Sequence, residues 1–410
     1  MTTKIKTASP SPSTSMHWPR ASLWLCVALL AVSTANAGPR EQAKRMHDRL
    51  VGTPPTSACL QQLEDQISTG SPTDAFNAAL DAIDPSPNDN TDACQDPSFY
   101  NVTLKNMVTP WTNEAQTAYA PLNDYTATVI GLVRDDADFR SLLYADVLYT
   151  GDNQPNYSNT SNAHYETLED SGANLFTSLT AQTQSAVTGL PSQATAGIMT
   201  SRAAAKAFFV DGTNRAMLRF TMLNHLCTDM EQIKDPTRST DRIRQDVSRS
   251  PGGDSRIYLN ACSGCHAGMD PLAQAYAYYN YSNEDEQLVY TPNSVQDKYL
   301  INASNFKWGY ATPNDHWDNY WREGSNTFLG WDAGLSGSGI GAKSMGQELA
   351  HTQAYARCQV QKVFKNVCLR PPVNAGDSAA FATILNDFTS SYNYNLKHVF
   401  AATAVHCMGQ

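Results

Sequence analysis

Apolar residues recur at three- and four-residue spacing along several stretches of this chain, and nowhere do they alternate over the length a strand needs. From Asp124 to Tyr149 this spacing predicts two packed helices, with Asp135-Asp136 opening the second. A second helical block runs from Ala203 to Cys227, where the step Asp211-Gly212-Thr213-Asn214 ends one helix and caps the next. Residues 323 to 346 are rich in Gly and Ser, and Gln347 to Val367 then reads as one long amphipathic helix. Between Gly38 and Ser98 the pattern gives only short polar helices and Pro-rich turns, bracketed by Cys59 and Cys94. No internal repeat is present. The expected class is mainly α with long loops, in three segments: a loop-rich helical extension over 38–120, a helical domain over 121–200, and a third domain over 201–410 that ends in a helix.

One apolar run has a different meaning. Leu23 to Val32 follows Arg20 and precedes Ala35-Asn36-Ala37, a small-x-small step, so residues 1–37 are expected to be a secretory signal peptide cleaved before Gly38. The run is well short of the about 20 apolar residues a bilayer span requires, and no later segment reaches that length, so no membrane span is expected. Composition agrees with export: of 410 residues 41% are apolar and only 17% charged, with polar uncharged residues filling the gap. The net charge of −10 excludes nucleic acid as a partner, because phosphates demand a basic face. Loss of Lys4, Lys6 and Arg20 with the signal leaves 26 basic against 39 acidic residues, about −13, which suits a basic partner.

The strongest local signal is Cys262-Ser263-Gly264-Cys265-His266, the attachment signature of c-type haem. Two thiols three positions apart can each add to one vinyl group of the porphyrin, and the next residue then offers an imidazole to the iron. A zinc site would want a second Cys or His pair at similar spacing, which the chain lacks, and a redox dithiol would not require the adjacent His. The expected cofactor is one covalent haem c, bound by Cys262, Cys265 and His266 within a cytochrome c-like domain over 201–410. Cys26 leaves with the signal, so Cys59, Cys94, Cys227, Cys358, Cys368 and Cys407 remain for three disulfides in an oxidising compartment. Cys59 with Cys94 is the expected local pair. Cys358 and Cys368 lie about 15 Å apart along a continuous helix, beyond the about 7 Å limit for bridged Cα atoms, and should pair elsewhere. Past the motif, Asp270 reads as an N-cap and Pro271 as a first helical residue, opening a helix whose Tyr276, Tyr278 and Tyr279 would serve as haem wall and core.

These residues carry a resemblance. The chain resembles the large bacterial cytochrome-like proteins typical of planctomycetes, built from successive domains of unknown function around one haem motif. Asp135 to Leu143 is similar to that group's "DRPFxELL" step. Gly197-Ile198-Met199-Thr200, Leu226-Cys227 and Cys262 through Leu272 are similar to its block "GILT…ENLLC…CxxCHxxMDPLG". Residues 345 to 368, with Cys358 inside, resemble its closing helix. Ala273 stands where the group has Gly, and its Ser-Pro-x-x-Arg-Gly step survives only as Gly212-Thr213-Asn214-Arg215. The resemblance spans roughly residues 120 to 370 and implies a mostly helical, cytochrome-type protein outside the cytoplasm, with no substrate to carry over.

The iron face opposite His266 needs a ligand or an open position. Met269, three residues on, is held on the proximal side. Met345, in a Gly-rich stretch ahead of the final long helix, is the expected distal ligand, with His351, Met199 and His225 as alternatives. Asp135, Asp136 and Asp138 are expected to complement a helix dipole rather than to bind a cation. No Gly-rich phosphate loop, Gly-x-Ser-x-Gly or His-Glu-x-x-His occurs, so hydrolase readings have no support. The expected function is electron transfer by a monohaem cytochrome, periplasmic or otherwise exported, that docks a basic redox protein. The competing classes are a peroxidase- or oxidase-like haem enzyme with an open distal site, and a binding or assembly protein stapled by its haem.

Overall fold

Several helices start where the sequence supplies a side-chain cap. In the computed structural model, which describes residues 37–84, 93–209, 213–247, 255–300 and 307–409, Thr56, Ser71, Asn123, Thr352, Asn374 and Asn395 each accept a backbone N–H of the first turn they precede. The expected signal peptide falls on residues 1–36, outside the described residues, save for Ala37.

The first three helices, α1 (Pro39–Leu50), α2 (Ser57–Ser68) and α3 (Pro72–Ile83), are longer and more regular than the sequence pattern suggests. The buried face of α3 is built largely from small residues, Ala75, Ala78, Ala79 and Ala82, which a periodicity of large apolar side chains does not reveal. After them come α4 (Asp124–Arg134), α5 (Ala163–Asp170), α6 (Arg202–Phe208), α7 (Arg215–His225) and α8 (Ser263–Ala273). The C-terminal third holds α9 (Gly341–Ala350), α10 (Gln353–Cys368), α11 (Ala375–Thr389) and α12 (Leu396–Cys407). Three two-stranded antiparallel ribbons complete the set: β1 (Leu148–Thr150) with β2 (Thr180–Gln182), β3 (Tyr279–Ser282) with β4 (Gln287–Tyr290), and β5 (His316–Asp318) with β6 (Ser338–Ile340). With three or four residues each, these strands are too short to register as alternation.

The two ends of the described chain meet. α1 and α3 pack on α12, and the Arg49 guanidinium donates to the Cys407 carbonyl at 2.9 Å. A single core cluster runs from Ala43 to Cys407, and residues 37–410 form one compact unit, so the expected boundaries at 120 and 200 fall inside shared packing.

Local differences from expectation have identifiable causes. The second helix expected before Tyr149 is only a 3-10 turn, Phe139–Leu143. Asp136 adopts a left-handed φ of 54°, which ends the preceding helix, and the chain then enters β1. Asp135, Asp136 and Asp138 form ion pairs with Arg134, Lys397 and Arg140 respectively. The long helix expected over 347–367 is two helices, because Thr352 caps a new one directly after α9 stops at Ala350. α10 is continuous to Cys368, and Cys358 and Cys368 do pair elsewhere: Cys59–Cys94, Cys227–Cys358 and Cys368–Cys407 have Cα separations of 4.7, 5.3 and 5.5 Å.

The helix after the motif also starts earlier than expected. α8 opens at Ser263, so the motif itself is helical, and Asp270 and Pro271 lie inside it rather than at its start. Proline there removes one backbone donor, and the helix gives way to a 3-10 turn two residues later.

Two consequences are testable. A Cβ at Gly268 would overlap the indole of Trp321, which packs against α8 at this point. Gly268→Ala should therefore cost about 1–3 kcal/mol through overpacking, read as a lower urea midpoint with unchanged slope; an unmoved midpoint would contradict the packing. The Cys227–Cys358 bridge closes a separation of 131 residues. Replacing both cysteines with Ser should cost about 2–5 kcal/mol in the same assay, whereas a loss below 1 kcal/mol would place the constraint elsewhere.

Candidate haem-attachment site

Helical spacing places Cys262, Cys265 and His266 on one face of the turn that opens α8, at positions i, i+3 and i+4. Neither thiol is in a disulfide, although the six other described cysteines all are. Both are partly buried. Cys262 packs against a small apolar cluster of Ile243, Val247 and Tyr258, while Cys265 Sγ lies 3.6 Å from the Met230 carbonyl. Burial raises the Cys265 thiol above its ordinary pKa, so it rests as a neutral thiol. Ile257 and Leu259, in the turn before the motif, leave apolar side chains 43% and 60% exposed.

The loop after α7 is pinned against the start of α8. The Asp235 N–H donates to the Gly264 carbonyl at 3.0 Å, and the Asp235 carboxylate gathers Thr237, Ser325 and Arg238. A Cβ at Gly264 would press on the Lys234 side chain at 2.8 Å.

His266 is held from one side. Its Nδ1 lies 3.1 and 3.2 Å from the two carboxylate oxygens of Asp270, one helical turn on, while Nε2 has no hydrogen-bond partner among the described residues. The Tyr258 ring is a neighbour at 6.0 Å. Asp270 is itself fixed by Arg215 Nε at 2.6 Å and by the Arg244 backbone N–H at 3.5 Å. Both arginines also reach Asp246, Arg215 at 2.6 Å and Arg244 at 3.1 Å. The side chains of Arg244, Asp246 and Asp270 are wholly buried, and that of Arg215 is 20% exposed. Burial alone would raise the Asp270 carboxyl, but the charges of Arg215 and Arg244 and the hydrogen bond from His266 outweigh it and hold the acid well below the usual carboxylate range. Truncating one member of this paired cluster strands its partner's buried charge, at a cost of about 3–5 kcal/mol.

The donor set fits haem c: two unpaired thiols at the attachment spacing, and an imidazole whose outer nitrogen is free because its inner one is claimed. Among the described residues, no three His, Cys, Asp or Glu side chains converge as a protein-only metal centre needs.

The distal candidates are not gathered around this face. Met345 is fully buried inside α9, not in a loop. Both α8 and α9 pack on β5, where the Trp317 indole donates to Ser344 of α9 at 2.8 Å and the nearby Trp321 lies against α8 at Gly268. Met199 is buried near Gly346, its sulfur accepting from the Tyr276 hydroxyl at 3.1 Å. His351 caps α9, donates Nδ1 to the Gln347 carbonyl at 2.8 Å and lines a cavity of about 850 Å³ with Arg357, Phe381 and Tyr394, which holds no motif residue. His225 is enclosed by Trp111, Tyr125 and Tyr355, with Nε2 2.7 Å from the Tyr125 hydroxyl. Tyr276 and Tyr279 are core residues, the latter donating to the Ala194 carbonyl at 2.7 Å. Sequence reasoning missed Arg215, Arg244, Asp246 and the true role of Asp270. The only available signal was Asp270 standing four residues after His266.

Comparison of the chain with protein-family models, with curated proteins and with solved structures finds no match. Among the described residues no helix is long and apolar enough to cross a membrane.

The buried histidine makes a pH prediction. Burial drives the His225 pKa well below 6.5, and burial lowers His47 and His398 in the same direction. The unfolded chain therefore binds protons that the folded chain refuses once pH falls below about 6.5. Stability should be full above that value and decline beneath it, and His225→Gln should flatten part of the decline. Urea midpoints measured between about pH 7.5 and pH 5 check this; equal slopes for both proteins would contradict it.

Proposed function

We propose that this protein is an exported monohaem c-type cytochrome that transfers electrons through a haem attached at Cys262 and Cys265 and ligated by His266. The observation that carries the reading is the division of the cysteines. Six described thiols are consumed in three bridges, and the two left over are those of the one Cys-x-x-Cys-His step, beside an imidazole with an unclaimed Nε2. Bound there, haem would supply one-electron chemistry at its iron. Cys262 and Cys265 would fix the porphyrin edge, His266 would hold the iron, and Ile257 and Leu259 offer exposed apolar surface in the turn before the motif. The three disulfides favour an oxidising compartment, as does the apolar run at Leu23–Val32. The acidic balance favours a basic redox partner. The resemblance to the planctomycete cytochrome-like group rests on the quoted residues alone. Met345 is the distal ligand named from the sequence; its place inside α9 gives it no contact with the motif that would favour it over an open site.

The test is the optical spectrum of the purified, exported protein, reduced, with and without carbon monoxide. The carrier reading expects a low-spin spectrum unmoved by the gas, sharply reduced haem content in Cys262→Ala and Cys265→Ala, and a high-spin product in His266→Ala. Rapid binding of carbon monoxide would turn the reading to a haem enzyme. A normal low-spin spectrum in His266→Ala would refute the site.

A further inference from the structure

A carboxylate behind a haem-ligating histidine acts differently from the backbone carbonyl that could stand in its place. Either acceptor fixes the Nδ1–H tautomer, but a carboxylate also brings a full charge. Here the acceptor is Asp270, at 3.1 and 3.2 Å from Nδ1 and buried. A carboxylate that accepts from Nδ1 places that hydrogen on the inner nitrogen and leaves Nε2 facing outward. Resting on the haem reading above, we propose that Asp270 is a positioning residue that sets both the aim and the electron density of His266, and so stabilises ferric over ferrous iron.

The surrounding charges are arranged to let it act. Left alone, Arg215 and Arg244 would cancel the Asp270 charge and more. Asp246 engages both guanidinium groups, Arg215 through a fork of 2.6 and 3.2 Å and Arg244 at 3.1 Å. Asp246 thus offsets part of the positive charge of the two arginines, and Asp270 stands nearest the imidazole. Thr213 and the Tyr299 ring, the latter 4.4 Å from the Arg244 guanidinium carbon, complete the hold on that arginine. Removing either acid takes one negative charge from a largely buried cluster, where charges are less screened than at the surface.

Redox titration of the haem-loaded full-length protein tests this. Asp270→Asn and Asp246→Asn should both raise the potential, Asp270→Asn by at least a tenfold change in the ferric-to-ferrous ratio at fixed potential, 59 mV for one electron, and Asp246→Asn by less. Arg215→Gln should lower it. A merely structural role predicts another pattern: a loosened site admits water, which favours the more highly charged ferric form, so every variant would fall. Should Asp270→Asn lose its haem, Asp246→Asn, which does not touch His266, carries the test. Unmoved or lowered potentials in the acid variants, or loss of haem in both, would overturn the proposal. Haem staining of the denatured wild type separates the two levels. No covalent stain refutes the haem reading and this inference with it, whereas a stained protein with unmoved potentials refutes only the inference.

Discussion

The buried carboxylate of Asp270 is the constraint on which the arrangement around the motif turns. It lies within reach of a helical neighbour, His266, and of two arginines brought from 55 and 26 residues upstream. A charge placed this deep is tolerated only when every lone pair is answered, and those partners come from α7, from the segment before the motif and from α8 itself. Satisfying it docks α8 on α7. It also holds the 244–246 segment under the motif, beside the small apolar cluster that receives Cys262. The packing of Trp321 on Gly268, at another point along α8, leaves that helix little freedom to shift.

Part of the fold was legible from the sequence where the signal is local: Cys59 and Cys94 pair across a short separation. The spacing of Cys358 and Cys368 on one helix excluded their pairing by length alone. What the spacing could not supply was the partner of each, because Cys227 and Cys407 arrive through tertiary packing. The same limit explains Asp270. An Asp-Pro step is a good helix start by local propensity, yet here it lies inside a helix, since two distant arginines and His266 compete for the carboxylate and win. The loop expected around Met345 is a helix for a related reason: Gly and Ser upstream suggested a loop, but burial of Ala342, Met345 and Leu349 against the core makes α9 regular.

The remainder of the fold is scaffolding for this one helix. The Arg49 contact ties α1 to α12, Cys368–Cys407 ties α10 to α12, and α4 is buried along nearly its whole length. The 850 Å³ cavity beside His351 lies away from the motif and has no part in the haem reading.

The central claim, that the Cys262–His266 turn holds a covalent haem, is tested most directly by mass spectrometry of the mature protein purified from an exporting host and fully denatured. The account predicts a mass greater by one haem, with the addition confined to the peptide that contains Cys262 and Cys265. A mature chain at its unmodified mass, or one in which those two thiols are joined to each other, would contradict it.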